Sequence, residues 1–68
     1  MRYAVVIEKA GQGYSGYVPD LPGCVAAGAT VEAVKQGLTE AIPFHLEGLG
    51  DEGRPVAKPE SVVAWVDV

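Results

Sequence analysis

Apolar and polar residues follow two different periods along this chain, and the change between them divides it. Residues 2–8 are rich in Tyr, Val and Ile and read as a strand. Tyr3, Val5 and Ile7 point to one side, Ala4 and Val6 to the other. Gly11-Gln12-Gly13 supplies the positive φ of a tight hairpin, and residues 14–18 form a second, antiparallel strand. Pro19 to Gly23 is a loop in which Pro22-Gly23 matches the central pair of a type II turn. Residues 24–28 make a short third strand.

From Thr30 the period lengthens. Thr30 suits a helix N-cap, and Glu32 suits the positive end of the helix dipole. Val31, Val34, Leu38, Ala41, Ile42, Leu46 and Leu49 recur at helical spacing, with Lys35, Gln36, Thr39, Glu40 and Glu47 on the opposite face. Pro43 lacks the N–H that would reach Thr39, so a kink is expected there, and Gly50 stands where a C-terminal cap would be. Residues 51–60 are polar and broken by Gly53, Pro55 and Pro59, which marks a surface loop. Residues 61–67 then return to a strand pattern.

The predicted class is α+β, with element order β-β-β-α-β in one domain over residues 1–68. A right-handed return through the helix places the last strand beside the first, giving a four-stranded mixed sheet of order 3-2-1-4 with one helix on one face. That arrangement leaves a difficulty. The first and last strands are apolar on both sides, and a face without a helix should alternate to polar residues. The bare face, or the edge of the last strand, is therefore expected to meet another chain.

Composition sharpens this expectation. A chain of 68 residues buries little core and leans on a staple. Cys24 is its single cysteine, which excludes an intrachain disulfide, and with His45 as the one histidine a tetrahedral zinc site lacks ligands. No metal or other cofactor is expected, and a homo-oligomer, dimer or larger, is. The net charge is −4, with Arg2, Lys9, Lys35, Arg54 and Lys58 scattered singly. That disfavours direct nucleic-acid binding by this chain alone, because phosphate contacts need clustered Lys and Arg. An acidic surface suits a basic partner instead. The apolar run at residues 3–7 is too short for a signal segment or a bilayer span, and a lone cysteine fits a reducing compartment. A cytoplasmic location without membrane association is expected.

Candidate chemistry is sparse, and no catalytic residue is assigned. Cys24 in an apolar strand reads as a small core residue, because no neighbour would lower its pKa. His45 sits beside the apolar stripe and reads as a boundary residue or a partner contact. Ser15 and Ser61 lack the context of a nucleophile. Glu8, Asp20, Glu60 and Asp67 lie at strand ends or beyond, too dispersed for a two-metal nuclease site. Gly11-x-Gly13 precedes no helix and is explained by the hairpin. Tyr14, Tyr17 and Trp65 have no basic groove around them and read as core or protein-interface aromatics.

The run from Tyr14 to Val25, YSGYVPDLPGCV, followed by GATVEA from Gly28 to Ala33, resembles the HicB-like antitoxins of bacterial toxin–antitoxin pairs. The P-D-L-P-G-C loop matches throughout, whereas Ala33 and Val34 replace the last two residues of the usual helix-opening motif. Ala41 to Leu49, Gly53-x-Pro55 and Pro59-x-Ser61 also resemble the family. The resemblance implies a partial RNase H-like fold and a non-enzymatic role. The family's partner is a HicA-like toxin, a small basic RNA-cleaving protein whose active surface the antitoxin occludes. Family members also carry a C-terminal DNA-binding segment, which this chain, stopping at Val68, is expected to lack. Asp20, Pro22, Gly23 and Thr30 are then the residues expected to set the loop and the helix start. Glu40, His45, Glu47 and Trp65 are the candidate partner contacts. The alternative is a homo-oligomeric module with no toxin partner, binding another protein or a small ligand.

Overall fold

A computed structural model describes residues 1–53 and 58–68. Three strands, β1 (Val6–Ala10), β2 (Gly13–Tyr17) and β3 (Val25–Gly28), precede one helix, α1 (Val31–Asp51). The sheet is antiparallel with order β1-β2-β3, so the class is α+β as expected. Ala10 pairs with Gly13 across a two-residue loop in which Gly11 has φ +59°. A glycine at positive φ in the first loop position is the II′ pattern, whose twist matches that of the strands. Lys9 stands opposite Tyr14, with its ammonium 5.3 Å from the ring centroid.

Two boundaries differ from the expectation. β1 starts at Val6, not Arg2, because Val6 pairs with Tyr17 and the chain turns away at Val18, leaving residues 2–5 beyond the end of β2. Tyr3, Val5 and Ile7 nevertheless pack on the core, on the side assigned from their alternation. The helix cap falls two residues later than Gly50. Glu52 is its C-cap, and Gly53, with φ +73°, reverses the chain and donates to the Gly50 carbonyl. The helix runs unbroken through Pro43.

The expected fourth strand is not formed. Residues 58–68 carry no strand, and the segment from Ser61 to Trp65 instead walls an open cleft whose other side is Ala4 to Ile7. The physical reason lies in the helix position. Helix α1 packs chiefly on β3 and then on β2, away from the β1 edge where the strand was expected. A segment that is apolar on both faces needs cover on both, and this fold offers it little on either.

Among the described residues the buried core is Val18, Leu21, Cys24, Val34 and Leu38. Three of those five belong to the loop between β2 and β3 and not to a regular element. Val34 meets the sheet at Gly16, where a Cβ would come within 2.7 Å of Val34 Cγ1. Glycine at that place lets the helix sit directly on the strand backbone. Val31, the first apolar residue of the expected stripe, is exposed.

A candidate partner-binding surface

The loop after β2 folds back on itself through three backbone hydrogen bonds. Leu21 N–H donates to the Val18 carbonyl at 3.0 Å, Cys24 N–H to Leu21 at 3.0 Å, and Val18 N–H to Cys24 at 3.1 Å. Gly23 has φ +87° as the third residue of the turn Leu21–Cys24, the position at which a type II turn requires a left-handed residue. Pro22 presets the φ of the preceding position. This folding points Val18, Leu21 and Cys24 inward and leaves Pro22 and Gly23 outside. Burial pushes the Cys24 thiol up from its ordinary range, which keeps it protonated and unreactive.

Asp20 faces outward from the same loop and holds the returning C-terminal segment. Its carboxylate accepts from Ser61 N–H at 3.0 Å, Ser61 Oγ at 3.0 Å and Glu60 N–H at 3.2 Å. The Ser61 backbone bond, chiefly, holds the Asp20 carboxyl below the usual carboxylate range, against a smaller opposing effect of desolvation. Thr30 caps the helix with extended backbone, its Oγ1 accepting from Ala33 N–H at 3.0 Å.

Between this loop and the middle of α1 lies a shallow cleft lined by Gly23, Val25, Gly37, Glu40, Phe44 and His45. His45 approaches the loop closely: a Cβ on Gly23 would lie 3.9 Å from its Cε1. Phe44 is 80% exposed and Val25 64%, so the cleft has an apolar rim open to solvent. Glu40, which accepts from Gln36 Nε2 at 3.3 Å, Phe44 and Glu47 follow one another at three- and four-residue spacing on one exposed helix stripe. Asp51 continues that stripe, and no basic side chain belongs to it.

The structure thus divides the four candidate contacts. Glu40 and His45 share the cleft, and Glu47 lies a turn beyond on the same stripe. Trp65 lies elsewhere, in the cleft between residues 4–7 and 61–65. Sequence reasoning passed over Phe44 and Val25. The available signal was a large aromatic among the charged positions of the helix, off the stripe of Leu38, Ile42 and Leu46. Among the described residues no three His, Cys, Asp or Glu side chains gather in a way that could hold a metal ion, and no helix is long and apolar enough to cross a membrane.

An aromatic flanked by carboxylates is suited to a partner with a basic surface, since complementary charge speeds encounter while the apolar centre supplies affinity. Residues 3–68 match the family described as HicB_like antitoxin of bacterial toxin-antitoxin system. The chain is 36% identical over 67 residues to an uncharacterised 14.9 kDa protein of Haemophilus phage HP1, covering 98% of this chain and 50% of that one. It is 40% identical over 62 residues to a UPF0150 protein of Synechocystis, covering 90% of this chain and 78% of that protein. The chain therefore spans half the length of its phage relative. Among solved structures it resembles a chain of the HicA3 and HicB3 toxin–antitoxin complex, with TM-score 0.74, 37% identity and coverage of 87% of this chain and 70% of that one. It also resembles the crystal structure of antitoxin HicB3, with TM-score 0.67, 38% identity and coverage of 84% and 42%. By the family match across nearly all its residues, the chain belongs to the HicB-like antitoxins.

Proposed function

We propose that this chain is a non-catalytic antitoxin module that binds a small HicA-like RNA-cleaving toxin and neutralises it by occlusion. The observation that carries the reading is the likeness to a chain of the HicA3–HicB3 complex at 37% identity. The exposed surface of Val25, Glu40, Phe44, His45 and Glu47 is the face assigned to the toxin, because its carboxylates suit an RNA-binding surface rich in Lys and Arg. On this reading the chain works in the cytoplasm as one HicB-like domain over residues 1–68. It makes no nucleic-acid contact of its own, in keeping with its net charge of −4. The fold is then a partial RNase H-like one, its fourth strand supplied by residues 61–67 once they are covered.

The test is a pull-down with tagged chain, followed by RNA cleavage by the recovered small basic protein with and without added antitoxin. Wild-type chain is expected to stop cleavage. The double variant F44A/E47K is expected to fold normally and to inhibit at least about tenfold less well, since interface centres hold the residues whose loss costs most. Undiminished inhibition by that variant would move the toxin to another face. Recovery of the chain alone would favour the alternative, a homo-oligomeric module without a toxin.

A further inference from the structure

The cleft between the β2–β3 loop and α1 combines apolar walls with a single carboxylate, and each part of it is fixed by the fold. Gly37, Ala41 and His45 follow one another at four-residue spacing along the helix, are half-buried, and form the inner lining with buried Cys24. Glu40 and Phe44, in the next row of the helix, stand exposed on one side, and Gly23 and Val25 stand exposed on the other. A Cβ at position 37 would lie 3.2 Å from Ala26 Cβ, so glycine there lets α1 lie close against β3. The space enclosed is about 490 Å³. Among the described residues no Lys or Arg lines it.

We infer that this cleft is the receptor for one arginine side chain of the toxin, its guanidinium stacked on Phe44 and hydrogen-bonded to Glu40; the inference rests on the toxin-binding reading of this surface. Phe44 is 80% exposed, so its ring offers an open face to a cation. Glu40 precedes Phe44 by one helical turn, which places the two side chains about 5–6 Å apart at Cβ. A guanidinium lying flat on the ring directs its N–H groups outward in its own plane, toward a carboxylate beside the ring. Glu40 Oε1 accepts from Gln36 Nε2 at 3.3 Å, which steadies the carboxylate and leaves Oε2 for the incoming group. Val25, 64% exposed across the cleft, supplies apolar surface for the methylene stem.

Other occupants satisfy only part of the cleft. An apolar side chain would cover Phe44 and Val25 but desolvate the Glu40 carboxylate without a partner, which is costly. An acidic side chain would meet Glu40 with like charge, and Glu47 and Asp51 continue that sign along the stripe. A lysine would answer the charge, but its ammonium is compact and strongly hydrated and has no flat face to lay on the ring. Arginine alone joins a planar, weakly hydrated cation to in-plane donors and an apolar stem.

The experiment is a set of double-mutant cycles between the full chain and a HicA-like toxin from the same source, with Kd read by titration calorimetry. Each toxin arginine is replaced in turn by lysine, which keeps the charge and removes the plane. One such replacement is expected to weaken binding to the wild-type chain at least about tenfold, as loss of an anchoring arginine does. The same replacement should cost less than about twofold against Phe44→Leu, which keeps an apolar side chain without the ring, and against Glu40→Gln. Both positions are exposed, so both variants should keep the wild-type far-ultraviolet circular dichroism. Tight binding by the wild-type chain that tolerates every arginine-to-lysine replacement would overturn the inference and leave the toxin reading standing. So would a sensitive arginine whose loss is equally large against Phe44→Leu and Glu40→Gln, because the two sides would then be uncoupled. Absence of any binding by the wild-type chain would overturn the toxin reading itself, and this inference with it.

Discussion

Replacing Leu21 by Ala tests whether the loop between β2 and β3 is part of the core, as its burial says. Leu21 is 1% exposed and sits between Val18 and Cys24, which are also buried. Removing about three carbons' worth of buried side chain costs roughly 2.5 kcal/mol in transfer alone, at about 0.8 kcal/mol per methylene. A cavity term adds to this, because Leu21 is held at both its N–H and its carbonyl by turn hydrogen bonds and the loop cannot readily collapse inward. We expect a loss of about 3 kcal/mol, from a total that for 68 residues is about 3–10 kcal/mol. In urea, with a slope near 1 kcal/mol per molar for so small a protein, the midpoint should fall by about 3 M, or the variant should be unfolded outright. Far-ultraviolet circular dichroism is the appropriate probe, and Phe44→Ala is the control. Phe44 is larger but 80% exposed, and its removal should shift stability by no more than about 0.5 kcal/mol. A Leu21→Ala loss below about 1 kcal/mol, or a Phe44→Ala loss as large as that of Leu21→Ala, would refute the assignment of the loop to the core and of Phe44 to the surface.

Three further outcomes follow from individual contacts. Gly16→Ala places a Cβ 2.7 Å from Val34 Cγ1, so it should destabilise the fold by about 1–3 kcal/mol in the same urea titration. The Asp20 clamp should loosen in acid. The folded carboxyl titrates below its ordinary value, so the contribution is complete above about pH 4 and lost as pH falls through the lower folded value. Amide exchange at Glu60 and Ser61 should therefore accelerate beyond its intrinsic pH trend in that acidic window in wild type, and already be fast at neutral pH in Asp20→Ala; slow, pH-independent exchange in the variant would remove Asp20 from the clamp. The Cys24 thiol, buried and with its pKa raised, should react with an aromatic disulfide reagent only on unfolding, and immediate reaction of the native protein would contradict its placement.

Local rules carried most of the fold. The hairpin at Gly11, the turn at Pro22-Gly23 and the cap at Thr30 each depend on a residue whose backbone or side chain suits one conformation, and these were legible. Strand ends were less so. The start of β1 is set by where β2 stops, a pairing that no property of Arg2 or Tyr3 reveals. The last segment misled for a related reason. Val62, Val63, Trp65 and Val66 have strong strand preference, but such preference reflects burial on a packed surface, and a single chain supplies no such surface there. The role of Asp20 joins residues forty positions apart and lay beyond any local pattern. For the partner surface, Glu40, His45 and Glu47 could be placed on the helix, but their grouping with Val25 and Phe44 needed the packing of α1 on β3.

The claim most in need of a direct measurement is that this chain silences a toxin. Purified chain should be titrated into a HicA-like toxin from the same source while cleavage of a labelled RNA is followed. Occlusion predicts that cleavage falls in proportion to added chain and stops when every toxin molecule is bound, with wild type far more effective than F44A/E47K. Cleavage that continues undiminished under a large excess of chain would contradict the account.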